Sequence, residues 1–146
     1  MDNWRKPDWD HYFMEIAETV AKRGTCDRAQ VGAIIVSNKR IIASGYNGSL
    51  PGLTECCDVG HDMEDGHCVR TVHSELNAIA QAARMGHATE GAAIYCTHMP
   101  CWNCTKAIIS AGIQEIVYKI AYRPELNTRT TDSCRDCQVN LRQLKD

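Results

Sequence analysis

The chain reads as an α/β protein, a three-layer α/β/α sandwich around a central mixed sheet. Three observations predict this. An amphipathic helical period opens the chain, two β-rich runs follow as a hairpin, and from residue 73 onward helix and strand alternate. An order of α-β-β-α-β-α-β, with a possible last strand, needs an antiparallel start and crossover connections later, which buries both faces of one sheet. At 146 residues, the whole span 1–146 is expected to form one domain.

The elements follow from local signals. Asp8 can cap a helix starting near Trp9, where Tyr12, Phe13, Ile16, Ala17 and Val20 recur at helical spacing and Gly24 closes the run. Val31–Ser37 and Arg40–Tyr46 are β-rich and separated by a short polar turn. Residues 47–71 show no clear period. Helix is expected again over His73–Met85, with Leu76, Ile79, Ala80 and Ala83 on one face and Gly86 as the stop. Ala92–Thr97 reads as a buried strand, and Pro100 opens a helix that runs to Ser110 before Ala111-Gly112. Glu115–Ile120 is a further apolar strand. Beyond Pro124 the chain is polar, with Val139 and Leu141 alternating as an edge strand would.

Composition excludes several functions. A net charge of -2 gives no basic excess to neutralise a run of phosphates, so nucleic acid is not the expected partner. The longest apolar stretches, such as Val31–Val36, are too short to span a bilayer, and the polar N-terminus lacks the apolar run of a signal peptide. A cytoplasmic protein is therefore expected. In a reducing compartment, nine cysteines point to metal ligands or buried thiols rather than disulfides.

The chemistry concentrates in two short motifs, His73-Ser74-Glu75 and Pro100-Cys101-Trp102-Asn103-Cys104. Each sits where a helix begins. The i, i+3 spacing puts both sulfurs on one helix face, and helix N-termini favour thiolate over thiol. His73, Cys101 and Cys104 thus supply three zinc ligands and leave one tetrahedral position for water, the arrangement of a catalytic site. Glu75 is not a ligand in this reading; it moves protons from water to a ring nitrogen and on to a departing amine. One C-x-x-C with a distant His also fits a structural zinc. The Glu two residues after the His and the Pro before the first Cys complete the H-x-E…P-C-x-x-C signature of zinc nucleobase deaminases.

With these motifs in place the chain resembles the deoxycytidylate (dCMP) deaminases over nearly all its length. The resemblance is carried by Cys26 with Gln30-Val31-Gly32-Ala33, by Ser44-Gly45-Tyr46-Asn47-Gly48, by His73 through Ile79, and by Pro100 through Cys104. It implies a cytidine-deaminase-like fold and hydrolysis of dCMP to dUMP and ammonia. A dCMP/dCTP bifunctional enzyme and a non-catalytic zinc module are the competing readings. Ser74 stands where the family usually has Ala, and the tail holding Cys134 and Cys137 looks compressed.

By the same resemblance, Asn47 hydrogen-bonds the sugar, Ser49 contacts sugar or phosphate, and Tyr122 lies over the base. Turn formation by Asn47 and strand-end packing by Tyr122 are the plainer alternatives. Arg123 is a candidate phosphate partner or a solvated charge. Some family members carry a second, structural zinc, for which Cys26, Cys56, His67 and Cys68 are the expected ligands, with Cys57 in reserve. Reduced buried thiols would explain the same cysteines. The resemblance also implies a homo-oligomer, commonly a hexamer, with dCTP and dTTP as effectors and Arg84 at the effector site; a surface arginine is the alternative there.

Overall fold

The computed structural model describes residues 3–123, 125 and 127–146. Helix α1 spans Trp9–Ala21, and Asp8 caps it by accepting from the His11 backbone N–H at 2.8 Å. Strands β1 (Gly32–Ser37) and β2 (Arg40–Tyr46) form an antiparallel hairpin. Ser37 pairs Arg40, and Asn38 and Lys39 both take positive φ, as a two-residue type I′ turn requires. A one-turn helix α2 (Cys56–Val59) and a two-stranded ribbon, β3 (Met63–Glu64) and β4 (His67–Cys68), occupy the connection that follows.

The alternating half then runs α3 (Ser74–Met85), β5 (Ala93–His98), α4 (Trp102–Ser110), β6 (Glu115–Ile120), α5 (Thr128–Asp136) and β7 (Asn140–Gln143). The five-stranded sheet has order β2-β1-β5-β6-β7. Its first two pairings are antiparallel and its last two parallel, so the sheet is mixed as expected.

Alternation along the strands divides the core. Ile34, Val36, Tyr95 and Val117 meet Phe13, Met14 and Ala17 of α1 on one face. Ala33, Ile35, Ile94, Cys96 and Ile116 meet Ala78 and Ala82 of α3, Ile108 of α4 and Cys134 of α5 on the other. The helix α1 approaches β1 closely, since a Cβ on Gly32 would lie 2.2 Å from the Ala17 carbonyl oxygen.

Three details differ from the sequence reading. The buried face of α3 is Ser74, Glu75, Ala78 and Ala82, not Leu76, Ile79, Ala80 and Ala83. Small residues face the sheet because β2 lies so close that only glycine fits at position 45. The helix α4 opens at Trp102, two residues later than Pro100, because Cys101 takes the extended backbone of an N-cap. The tail folds as α5 followed by β7, the edge strand that Val139 and Leu141 suggested.

Candidate metal and catalytic site

Both helices that begin at the C-terminal side of the sheet present their first residues to a single cleft. His73 is the N-cap of α3 and Cys101 the N-cap of α4, each with extended backbone. Cys104 follows in the first turn of α4 and is buried. The His73 Nδ1 lies 3.3 Å from Cys104 Sγ and 3.5 Å from Cys101 Sγ. Zinc–nitrogen bonds of about 2.0–2.1 Å and zinc–sulfur bonds of about 2.3 Å place neighbouring N and S ligands about 3.5 Å apart in a tetrahedron. The three side chains therefore fit zinc as they stand.

Electrostatics agree with that donor set. Cys101 is held down to about 4, first by its hydrogen bond with Cys104 and, against its burial, by the one with His73. The His73 imidazole is raised by Cys101. Glu75, in the first turn of α3, is buried, 4% exposed, and burial raises its carboxyl above the usual range. Ser74 donates its hydroxyl to Glu75 Oε1 at 2.9 Å. A buried carboxyl beside three metal donors is equipped to hold and release a proton.

A second cluster gathers Cys26, Cys56, His61 and Cys68, with all four donor atoms within 4.8 Å of one another. The Cys26 Sγ to His61 Nδ1 distance is 3.4 Å, and Cys56 Sγ to Cys68 Sγ is 3.6 Å. Tetrahedral zinc predicts about 3.5 Å and about 3.8 Å for such edges, and four protein donors close the site. Burial, with Cys68 and Cys26 nearby, pushes Cys56 up to about 12. Cys68 is opposed by burial yet held down to about 6 by the backbone of Arg70 and Asp62.

This cluster corrects the expected ligand set. His61, not His67, completes it. On β4 adjacent residues point to opposite sides, so with Cys68 turned into the cluster His67 turns out to the cleft. Cys57 is exposed and sits 3.7 Å from Glu55 Oε2 instead.

The cleft measures about 810 Å³ and runs between the two clusters. Its described walls include Asn47, His73, Glu75, Cys101 and Tyr122, all expected there, and Arg28, His67, His98 and Arg123. Asn47 is committed to the scaffold: Oδ1 accepts from the Val31 N–H at 2.8 Å, and Nδ2 donates to the Ala29 carbonyl. Tyr122 has one ring face under the Arg123 guanidinium, 5.3 Å from the ring centroid. Ser49 is not among the described lining residues, and among the described residues its buried hydroxyl oxygen has no hydrogen-bond partner. Arg84 is exposed in the last turn of α3, 11 residues from His73 and thus about 16 Å along the helix.

Of the features that sequence reasoning missed, one has a local signal and one has none. The Asp65-Gly66 pair is a two-residue hairpin signal, and reading it would have separated His67 from Cys68. Asp27 neighbours Cys26 and reaches His61 Nε2 at 2.9 Å, a contact with no sequence spacing to announce it.

A family model described as the cytidine and deoxycytidylate deaminase zinc-binding region matches residues 7–120. The chain belongs to that family. It is 50% identical over 115 residues to ComE operon protein 2 of Bacillus subtilis, covering 79% of this chain and 61% of the relative. It is 38% identical over 146 residues to a deoxycytidylate deaminase of Saccharomyces cerevisiae, covering 95% of this chain and 46% of the relative. The crystal structure of dCMP deaminase from the cyanophage S-TIM5 in complex with dCMP and dUMP superimposes with a TM-score of 0.83 at 33% identity. That match covers 97% of this chain and all of the other. The likeness to the phage structure accounts for the mixed sheet, and the family is one with a zinc-binding region. Among the described residues no helix is long and apolar enough to cross a membrane.

Proposed function

We propose that the protein is a hydrolase that converts dCMP and water to dUMP and ammonia. The observation that carries this reading is the juxtaposition of a three-donor zinc cluster with a buried glutamate at one end of a nucleotide-sized cleft. When bound, zinc supplies Lewis acidity that makes water a nucleophile at neutral pH. Glu75 takes the proton that the attacking water gives up and passes it to the pyrimidine ring nitrogen; it then takes the remaining proton of the hydroxyl added to the base and gives it to the leaving amine. Arg28 and Arg123 supply the positive charge that a monophosphate needs. Similarity to the phage enzyme bound to dCMP and dUMP supports the choice of nucleotide.

The second cluster is read as a structural zinc, giving two per chain, because its four donors leave no position for substrate. Thiol ligands of this kind fit a reducing cytoplasm. Assembly as a homo-oligomer and control by dCTP and dTTP through Arg84 rest on the family resemblance. Arg84→Glu is expected to abolish dCTP activation with zinc content intact, and unchanged activation removes the residue from that role.

The test is ammonia release from dCMP, dCTP, deoxycytidine and CMP in parallel. Turnover of dCMP far above deoxycytidine supports the reading. Comparable rates on dCTP make the enzyme bifunctional, and a zinc-loaded chain inert on all four is a binding module instead.

A further inference from the structure

The hydroxyl that touches Glu75 is held more rigidly than a surface serine could be. Ser74 is 1% exposed and opens α3. Its turn rests directly on β2, for a Cβ on Gly45 would lie 2.3 Å from the Ser74 carbonyl oxygen and 2.5 Å from the Ala78 nitrogen. Asn77 Nδ2 donates to the Tyr46 carbonyl at 2.8 Å and the Val72 carbonyl at 3.3 Å. Gln81 Oε1 accepts from the Ser44 N–H at 2.7 Å. The first two turns of α3 are thereby tied to the strand and to the loop before the helix.

A carboxyl oxygen that accepts from a hydroxyl held in place by its own backbone has its plane set by that bond. The partner of Glu75 Oε1 is such a hydroxyl, at 2.9 Å in a buried site.

We propose that Ser74 is a positioning residue for Glu75, donating to Oε1 so that the carboxyl plane is held and the other carboxyl oxygen is presented to the substrate. The proposal rests on the deaminase reading above. Without the hydroxyl, Oε1 has lost a partner in a buried site and the carboxyl plane is free to turn. Ser74 lines the cleft but is not one of the zinc donors, so its loss is expected to leave zinc content unchanged.

The experiment compares zinc-loaded wild type, Ser74→Ala, Glu75→Gln and the double variant, with kcat and KM for dCMP, zinc per chain and melting temperature. Ser74→Ala is expected to lower kcat about tenfold while KM stays within about twofold and zinc content is unchanged, a loss of about 1.4 kcal/mol in the transition state. In the Glu75→Gln background the same substitution is expected to cost nothing further, because it acts through Glu75. A Ser74→Ala enzyme with wild-type kcat overturns the proposal alone. So does a fall in zinc content or a rise in KM that accounts for the loss, or an equal loss in the Glu75→Gln background. A zinc-loaded wild type that turns over no cytosine nucleotide overturns the deaminase reading and this proposal with it.

Discussion

The Asp27 carboxylate meets His61 Nε2 at 2.9 Å while Nδ1 of the same ring faces Cys26 at 3.4 Å. A carboxylate on the far nitrogen fixes both ring orientation and tautomer, leaving Nδ1 as the metal donor. His61→Ala is therefore expected to lose one of two zinc ions per chain, whereas His67→Ala keeps both. Asp27→Asn should retain the metal but weaken its affinity, within the roughly 10–100-fold range of such outer partners. Metal analysis after dialysis against a graded chelator checks all three. Equal zinc loss from the His61 and His67 variants would reverse the assignment made from the geometry.

Glu75 offers a sharper separation of metal binding from catalysis. It is buried, and among the described residues the donors gathered at that end of the cleft are His73, Cys101 and Cys104. Glu75→Gln keeps size and polarity but removes the proton carrier. A positioned general acid–base contributes about 10²–10⁴-fold, so turnover of dCMP should fall by that range with zinc still bound. Activity within a few-fold of wild type would show that another group carries the protons.

These two clusters also show what was legible in the chain. His73, Glu75, Cys101 and Cys104 could be read directly because short spacings and helix starts place them together. The fourth ligand of the second cluster was not legible, since no spacing to the cysteines separates His67, on the ribbon, from His61, in the loop before it. The α5 helix was equally hidden. Its segment Thr128–Asp136 is polar throughout, and only Thr130 and Cys134 are buried, too little apolar pattern to reveal a helix. The α3 face was misjudged for the opposite reason: Leu76 and Ile79 are the larger hydrophobes, but close approach to Gly45 selects Ala78 and Ala82.

That close approach leads to a stability prediction. A methyl group at position 45 would meet backbone atoms of Ser74 and Ala78 at 2.3 and 2.5 Å, and backbone cannot step aside as a flexible side chain can. Overpacking of this kind costs typically about 1–3 kcal/mol. Gly45→Ala should lower the urea midpoint accordingly and, by shifting the start of α3, depress turnover as well. A variant as stable and active as wild type would mean that α3 can move off the sheet without consequence.

Acid stability depends on a different part of the molecule. The Asp10 carboxylate on α1 accepts from both terminal nitrogens of Arg142 on β7, at 2.7 and 2.8 Å, and from the Tyr95 hydroxyl at 2.7 Å. The Arg142 hydrogen bonds come first in holding Asp10 down to about 2 from an ordinary 3.8. A depressed carboxyl stabilises the fold fully above its unfolded value and loses that contribution as pH falls toward the folded one. The window is thus about pH 4 down to about pH 2. The shift converts to about 2 kcal/mol, and partial exposure of both partners reduces this to about 1–2 kcal/mol. Asp10→Asn should be less stable than wild type by that amount at pH 6, with the gap narrowing as pH drops below about 4. Acid strips metal from both chains alike, so the difference in urea midpoints isolates the Asp10 contribution. A gap that stays constant to pH 3 would mean that the Asp10 charge does not link α1 to β7, and that packing alone accounts for the loss.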